Sequence, residues 1–158
     1  MRVYADTSFL VKLLAEEHGT AAAVAEYRSL GRPAIFFLSL HALEVGNAIR
    51  QRAFHLRRSK SSGDRAAISR ERDSALATLK KLLSRRAFLE SSADMDEAID
   101  LARTLSEKHT EHLGCRGFDL LHVALALELE CEIFLTADGA QAALAAAEGL
   151  DVRGSMVE

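Results

Sequence analysis

The sequence predicts an α/β protein: a three-layer α/β/α sandwich around a central parallel sheet. Short apolar runs (Val3-Tyr4-Ala5, Ala34 to Leu38, Ile133 to Thr136) alternate with longer segments of helical periodicity, the pattern of βαβ units. The runs are continuously apolar, as parallel strands covered on both faces tend to be. The chain has 158 residues, which suits one domain with a real hydrophobic core, and residues 1–158 read as one.

The elements follow in order. The first strand ends in Asp6, with Thr7 and Ser8 behind it. Thr7 to Glu17 is apolar on most sides and reads as a buried helix, ended by His18-Gly19 with Gly19 as its C-terminal cap. Thr20 caps a second helix, Ala21 to Leu30. Gly31-Arg32-Pro33 is a breaker, and Ala34 to Leu38 is the second strand. Ser39 caps the helix from Leu40 to near Leu56. On its wheel Leu40, Leu43, Asn47 and Phe54 share one arc, and Val45, Ile49, Ala53 and Leu56 share a second, roughly opposite. A helix apolar on two sides packs between layers or against a partner. Arg57 to Gly63 is polar and Gly-ended, so it reads as a loop and as the segment most apt to move. Asp64 to Ser84 is a long basic helix, and Ala87-Phe88-Leu89 a short strand. Met95 to Leu113 is amphipathic, with Asp94 as its cap. Gly114 to Gly117 connects it to a mostly apolar, and therefore central, helix from Phe118 to Cys131. Ile133 to Thr136 is a strand, Ala140 to Glu148 a helix stopped by Gly149, and Asp151 to Arg153 a last, edge strand.

Apolar residues make up 49% and charged residues 27%, a globular composition. No apolar run approaches the roughly 18 residues of a membrane span, so no membrane partner is expected. No basic-then-apolar signal opens the chain, which points to the cytoplasm. Cys115 and Cys131 form no CxxC pair and read as reduced thiols. The net charge is −3, but residues 50–86 hold 12 of the 20 Lys and Arg against three acids, giving +9. The remainder is −12. An acidic body with one basic stretch fits either a solvated helical hairpin or a contact for RNA.

Four acids stand out: Asp6, Glu44, Asp119 and Asp138. Singly, each has an ordinary explanation. Asp6 and Asp119 suit helix starts, Asp138-Gly139 suits a turn, and Glu44 lies at the edge of an apolar arc. Together they read differently. Three sit at strand ends or helix starts, on the edge where open α/β sheets bind ligands, and the fourth lies on a helix that follows a strand. Oxygen ligands without a His or Cys cluster suit Mg²⁺ or Mn²⁺. Converging carboxylates repel without a cation. With one they activate water and stabilise the charge of a phosphodiester transition state. The set therefore points to a metal-dependent nuclease. His122, three residues beyond Asp119, shares its face and reads as a core or supporting residue.

The blocks Val3-Tyr4-Ala5-Asp6-Thr7-Ser8, Leu43-Glu44-Val45-Gly46-Asn47-Ala48, Phe118-Asp119-Leu120-Leu121-His122-Val123-Ala124 and Phe134-Leu135-Thr136-Ala137-Asp138 resemble those of PIN domains, and within them the VapC-type toxin endoribonucleases. The resemblance runs over most of the chain. It implies the PIN-like sandwich, with Asp6, Glu44, Asp119 and Asp138 as catalytic and metal-binding acids for Mg²⁺ or Mn²⁺. It implies Thr7 or Ser8 and Thr136 as supporting hydroxyls, with Asn47 and His122 nearby. It further implies cleavage of RNA, a homodimer, and a cognate antitoxin protein of a type II toxin–antitoxin pair. Residues 57–73 are longer than the family's usual connection, so the basic stretch 57–86 reads as partly an insertion. Gly139 stands where a basic residue is common in the family. Two other classes compete. One is a PIN-like RNA-binding or regulatory module without turnover, carried by the +9 segment. The other is a phosphoryl-transfer protein with an aspartate nucleophile, which lacks the acid pair such a protein needs.

Overall fold

In the computed structural model, which describes residues 1–59 and 64–154, all strands run parallel in one sheet. Among the described residues there are five: β1 (Val3–Ala5), β2 (Ile35–Phe37), β3 (Phe88–Glu90), β4 (Ile133–Leu135) and β5 (Asp151–Arg153). Their order is β3-β2-β1-β4-β5, so β3 and β5 are the edges. The register pairs Ala5 with Leu135 on one side of β1, and Val3 with Ile35 on the other. The chain steps outward from β1 through β2 to β3, then returns to place β4 on the opposite side of β1. The sheet therefore has its switch point between β1 and β4, where α/β folds open a crevice beyond the strand ends.

Side-chain alternation divides the core in two. Val3, Ala5, Ile133 and Leu135 face one layer: α1 (Thr7–Leu14), α2 (Thr20–Ser29), α3 (Ser39–Ser59) and α4 (Arg65–Ser84). Tyr4 and Phe134 face the other: α5 (Met95–Leu113), α6 (Gly117–Glu128) and α7 (Gly139–Ala147). This is the three-layer α/β/α sandwich that the alternation predicts. Phe9, Phe88 and Phe134 are fully buried, each worth about 2–3 kcal/mol over exposure. Among the described residues no helix is long and apolar enough to cross a membrane. Both cysteines are buried and free.

Three aspartates start helices by accepting backbone N–H groups: Asp6 from Phe9, Asp94 from Asp96 and Glu97, and Asp138 from Gln141. The bounds of α5 and β5 agree with the sequence reading, and Gly114 closes α5 in the left-handed conformation.

Four readings need correction. The first helix ends at Leu14, with Ala15 extended, and Gly19 (φ +84) stands at the start of α2 instead. Thr20 does not cap α2; its hydroxyl donates to the Ala15 carbonyl and accepts the Glu17 N–H, closing the turn between the two helices. Ser39 is the first residue of α3. The Leu38 N–H just before it is capped by His41 Nδ1, at 3.0 Å. Residues 57–59 belong to α3 instead of a loop; the rest of that expected loop, 60–63, lies outside the described residues. Of the two arcs of α3, Val45, Ile49 and Ala53 are buried, whereas Leu43 and Phe54 are exposed.

Candidate active site

The strand ends at the switch point carry a cross-braced carboxylate. Asp6 follows β1 directly and is fully buried. Its backbone N–H donates to Leu135 at the end of β4, at 2.9 Å, which locks the two central strands together there. Its side chain accepts the Phe9 N–H at 2.8 Å, the Ser8 hydroxyl at 2.8 Å to both oxygens, and the Thr136 hydroxyl at 2.7 Å. Ser8 in turn accepts the Ala137 N–H, and Thr136 accepts the Asp138 N–H. Each hydroxyl thus gives its proton to Asp6 and takes one from the turn after β4. Asp6 has only neutral donors. Burial pushes its pKa up, and the hydrogen bonds from Thr136, Phe9 and Ser8 offset this only in part.

Glu44 approaches from the second turn of α3. Its Oε2 accepts the Thr7 hydroxyl at 2.9 Å and lies 2.6 Å from His122 Nε2. Partial burial opposes its charge, but the His122 contact and the Thr7 hydroxyl outweigh this and hold its pKa below the ordinary value. Asp119, 4% exposed, sits in the first turn of α6. It accepts the Arg116 N–H at 2.9 Å, forming the helix's capping box, and the Gln141 side-chain amide at 3.1 Å. Asp138 accepts the Gln141 N–H at 2.9 Å, and the Arg116 guanidinium lies 3.5 Å away. Gln141 is 6% exposed and touches both aspartates, yet its own Oε1 is buried without a partner among the described residues.

These groups surround one cleft of about 870 Å³, lined by Thr7, Ser8, Glu44, Asp119, His122 and Asp138. Lys12, Arg52 and Arg116 add positive charge, and Phe118, 58% exposed, adds an aromatic face. Asp6 does not reach the cleft surface; its neighbours Ser8 and Ala137 do. Asn47 stands exposed on α3, outside the lining. Among the described residues no three His, Cys, Asp or Glu side chains are grouped as a metal site. The guanidinium of Arg116 rests on two of the acids instead.

A family model for the PIN domain matches residues 3–147. The chain belongs to the PIN-domain family. PIN domains are generally nucleases, which supports a coarse role for the chain: hydrolysis of nucleic acid. A comparison with curated proteins found no significant match.

Arg116 and Gln141 line this cleft, and Tyr4 and His41 pack against His122 behind it, but none of the four is singled out by the sequence. Tyr4 and His41 read there as core and helix-start residues. Arg116 precedes Asp119 by three residues and Gln141 follows Asp138 by three, the spacing of reciprocal caps, and that was their available signal.

Proposed function

We propose that this PIN domain is a metal-dependent endoribonuclease, and the toxin of a type II toxin–antitoxin pair. The observation that carries the nuclease reading is a cleft at the β1–β4 switch point. Glu44, Asp119 and Asp138 line it, and Asp6 lies beside its wall.

The donor set suits a hard divalent ion such as Mg²⁺ or Mn²⁺, since every acid offers oxygen. Two features of the chain point the same way. Asp6 is a buried carboxylate whose hydrogen-bond donors among the described residues are all neutral, and Asp119 and Asp138 already draw a cationic side chain between them. Asp6, Glu44, Asp119 and Asp138 would hold the ion, which when bound supplies Lewis-acid stabilisation of charge on a phosphodiester. The chain's own residues do the rest. Ser8 and Thr136 hold Asp6, Thr7 and His122 hold Glu44, and Gln141 ties Asp119 to Asp138. Arg116 is the cation best placed to meet a phosphate at the mouth, being 76% exposed.

Two further features favour RNA and protein partners. A second cleft, lined by Arg52, Arg70 and Arg72 from the basic stretch, shares Arg52 with the first. The exposed Leu43 and Phe54 on α3 offer an apolar face for a homodimer. The cognate antitoxin is proposed from the family resemblance of the sequence alone. Residues 1–158 as one domain, with 57–86 as a basic attachment, complete the reading.

The test is cleavage of a labelled total-RNA pool with Mg²⁺ or Mn²⁺, with and without EDTA, for wild type beside Asp6→Asn and Asp119→Asn. Discrete products from wild type alone, lost with EDTA, are expected. Products that persist in both variants would sink the reading. RNA binding that survives EDTA and falls steeply with salt, without products, would favour a binding module.

A further inference from the structure

A polar chain runs through the core on the α5–α7 face of the sheet and ends on a cleft acid. Tyr4 and His122 are both fully or nearly fully buried, at 0% and 2% exposure. Tyr4 Oη lies 2.8 Å from His122 Nδ1, and His122 Nε2 lies 2.6 Å from Glu44 Oε2. Among the described residues the ring nitrogen is the only partner of the Tyr4 hydroxyl. A buried hydroxyl that must donate therefore donates to Nδ1, which leaves the ring proton on Nε2, facing Glu44.

The ring has no freedom to turn away. His41 stacks on His122 with centroids 5.3 Å apart and lies 4.9 Å from the Tyr4 ring. His41 is itself pinned, because Nδ1 accepts the Leu38 N–H and Nε2 lies 2.9 Å from the Ala5 carbonyl. A buried polar chain is costly unless every member is partnered, and here each one is. The chain also joins three of the four elements that carry the acids. Tyr4 is two residues before Asp6, His122 three after Asp119, and Glu44 stands on α3.

We propose that Tyr4 and His122 form a positioning chain for Glu44. Tyr4 at Nδ1 and the Glu44 carboxylate at Nε2 together fix the Nε2–H form of His122, and that N–H, held in place by the Tyr4 hydroxyl, sets where the Glu44 carboxylate points relative to Asp6 and Asp119. The inference rests on Glu44 being one of the nuclease's working acids. His122 acts through Glu44 and need not touch nucleic acid.

Two substitutions separate this from a packing role. The amide of Gln reaches the Nε2 position, whereas that of Asn reaches only Nδ1. His122→Gln should stay within about fivefold of wild type in kcat. His122→Asn should lose roughly 10–100-fold in kcat and in Mn²⁺ affinity measured by electron paramagnetic resonance, with KM for RNA little changed. Thermal unfolding checks that both are folded. Histidine ¹⁵N spectra supply a readout free of activity: His122 should be the Nε2–H form in wild type, and the Nδ1 resonance should move in Tyr4→Phe as the hydrogen bond to that nitrogen is lost. Equal behaviour of the Gln and Asn variants, or an Nδ1–H form in wild type, would overturn the proposal. An active wild type, a dead Asp119→Asn and a fully active His122→Asn would overturn it while leaving the nuclease reading intact. A wild type without metal-dependent cleavage would overturn both.

Discussion

Arg116 Nε lies 3.1 Å from Asp119 Oδ2, and the backbone N–H of the same arginine donates to that oxygen at 2.9 Å. One residue therefore both starts α6 and neutralises the acid in its first turn. Its terminal nitrogen stands 3.5 Å from Asp138. A divalent ion held as proposed would compete with this guanidinium for the same two carboxylates, and both could not hold them fully.

Arg116→Gln should therefore tighten Mn²⁺ binding in the absence of RNA. The side chain is 76% exposed, so the pair is worth no more than about 1 kcal/mol. That corresponds to an affinity gain of up to about fivefold. The backbone N–H that caps α6 is untouched, so thermal stability should change little. A titration of Mn²⁺ by electron paramagnetic resonance reads the difference. Unchanged or weaker binding in the variant would show that Arg116 does not compete with the ion.

Much of this arrangement was legible in the sequence, and the parts that were not share a cause. Three of the candidate acids, Asp6, Asp119 and Asp138, stand out because strand ends and helix starts are local signals, and both leave a mark within three or four residues. The Tyr4–His122 contact spans 118 residues, and a sequence carries no mark of that. The wheel of α3 showed two apolar arcs but not which one meets the sheet. Asn47 fell with the outer arc, and Glu44 reached the cleft from the border between them. Gly19 reads as a helix end in the sequence, yet its positive φ opens α2, because Thr20 satisfies the backbone of the turn that precedes it.

His41 gives the fold a dependence on acid. Burial, and then the neighbouring His122, hold its pKa down to about 3, while in an unfolded chain it titrates near 6.5. Between those values the unfolded state binds a proton that the folded state refuses. The contribution of a neutral His41 is therefore complete above about pH 6.5 and is lost as pH falls, by about 2 kcal/mol at pH 5. Asp6, raised by burial, acts in the opposite sense and loses stability as pH rises, so the two must be separated by substitution. His41→Asn keeps an acceptor for the Leu38 N–H and removes the titrating ring. Urea unfolding at pH 7, 6 and 5 should show wild type losing about 2 kcal/mol more than the variant across that range. Parallel curves would mean that His41 is not held neutral.

Gly154 makes the end of β5 part of the site. Its φ is +136, outside what side chains readily adopt, and a Cβ there would overlap the carbonyl oxygen of Thr136. Thr136 is held from both directions, since its N–H donates to Arg153 and its hydroxyl donates to Asp6. Gly154→Ala must either strain its own backbone or push Thr136 and so unseat Asp6. Strain of this kind costs about 1–3 kcal/mol, which for a domain of this length lowers the melting temperature by roughly 3–10 °C. Gly139→Ala is the control: it begins α7, and a Cβ there meets nothing within 4 Å. Calorimetry should show a clear drop for Gly154→Ala and almost none for Gly139→Ala. Mn²⁺ affinity should fall only in the first, because only there does the added carbon press on the residue that holds Asp6. A Gly154→Ala protein that melts with wild type would mean that the turn after β5 yields freely, and that Thr136 owes its place to Asp6 and Arg153 alone.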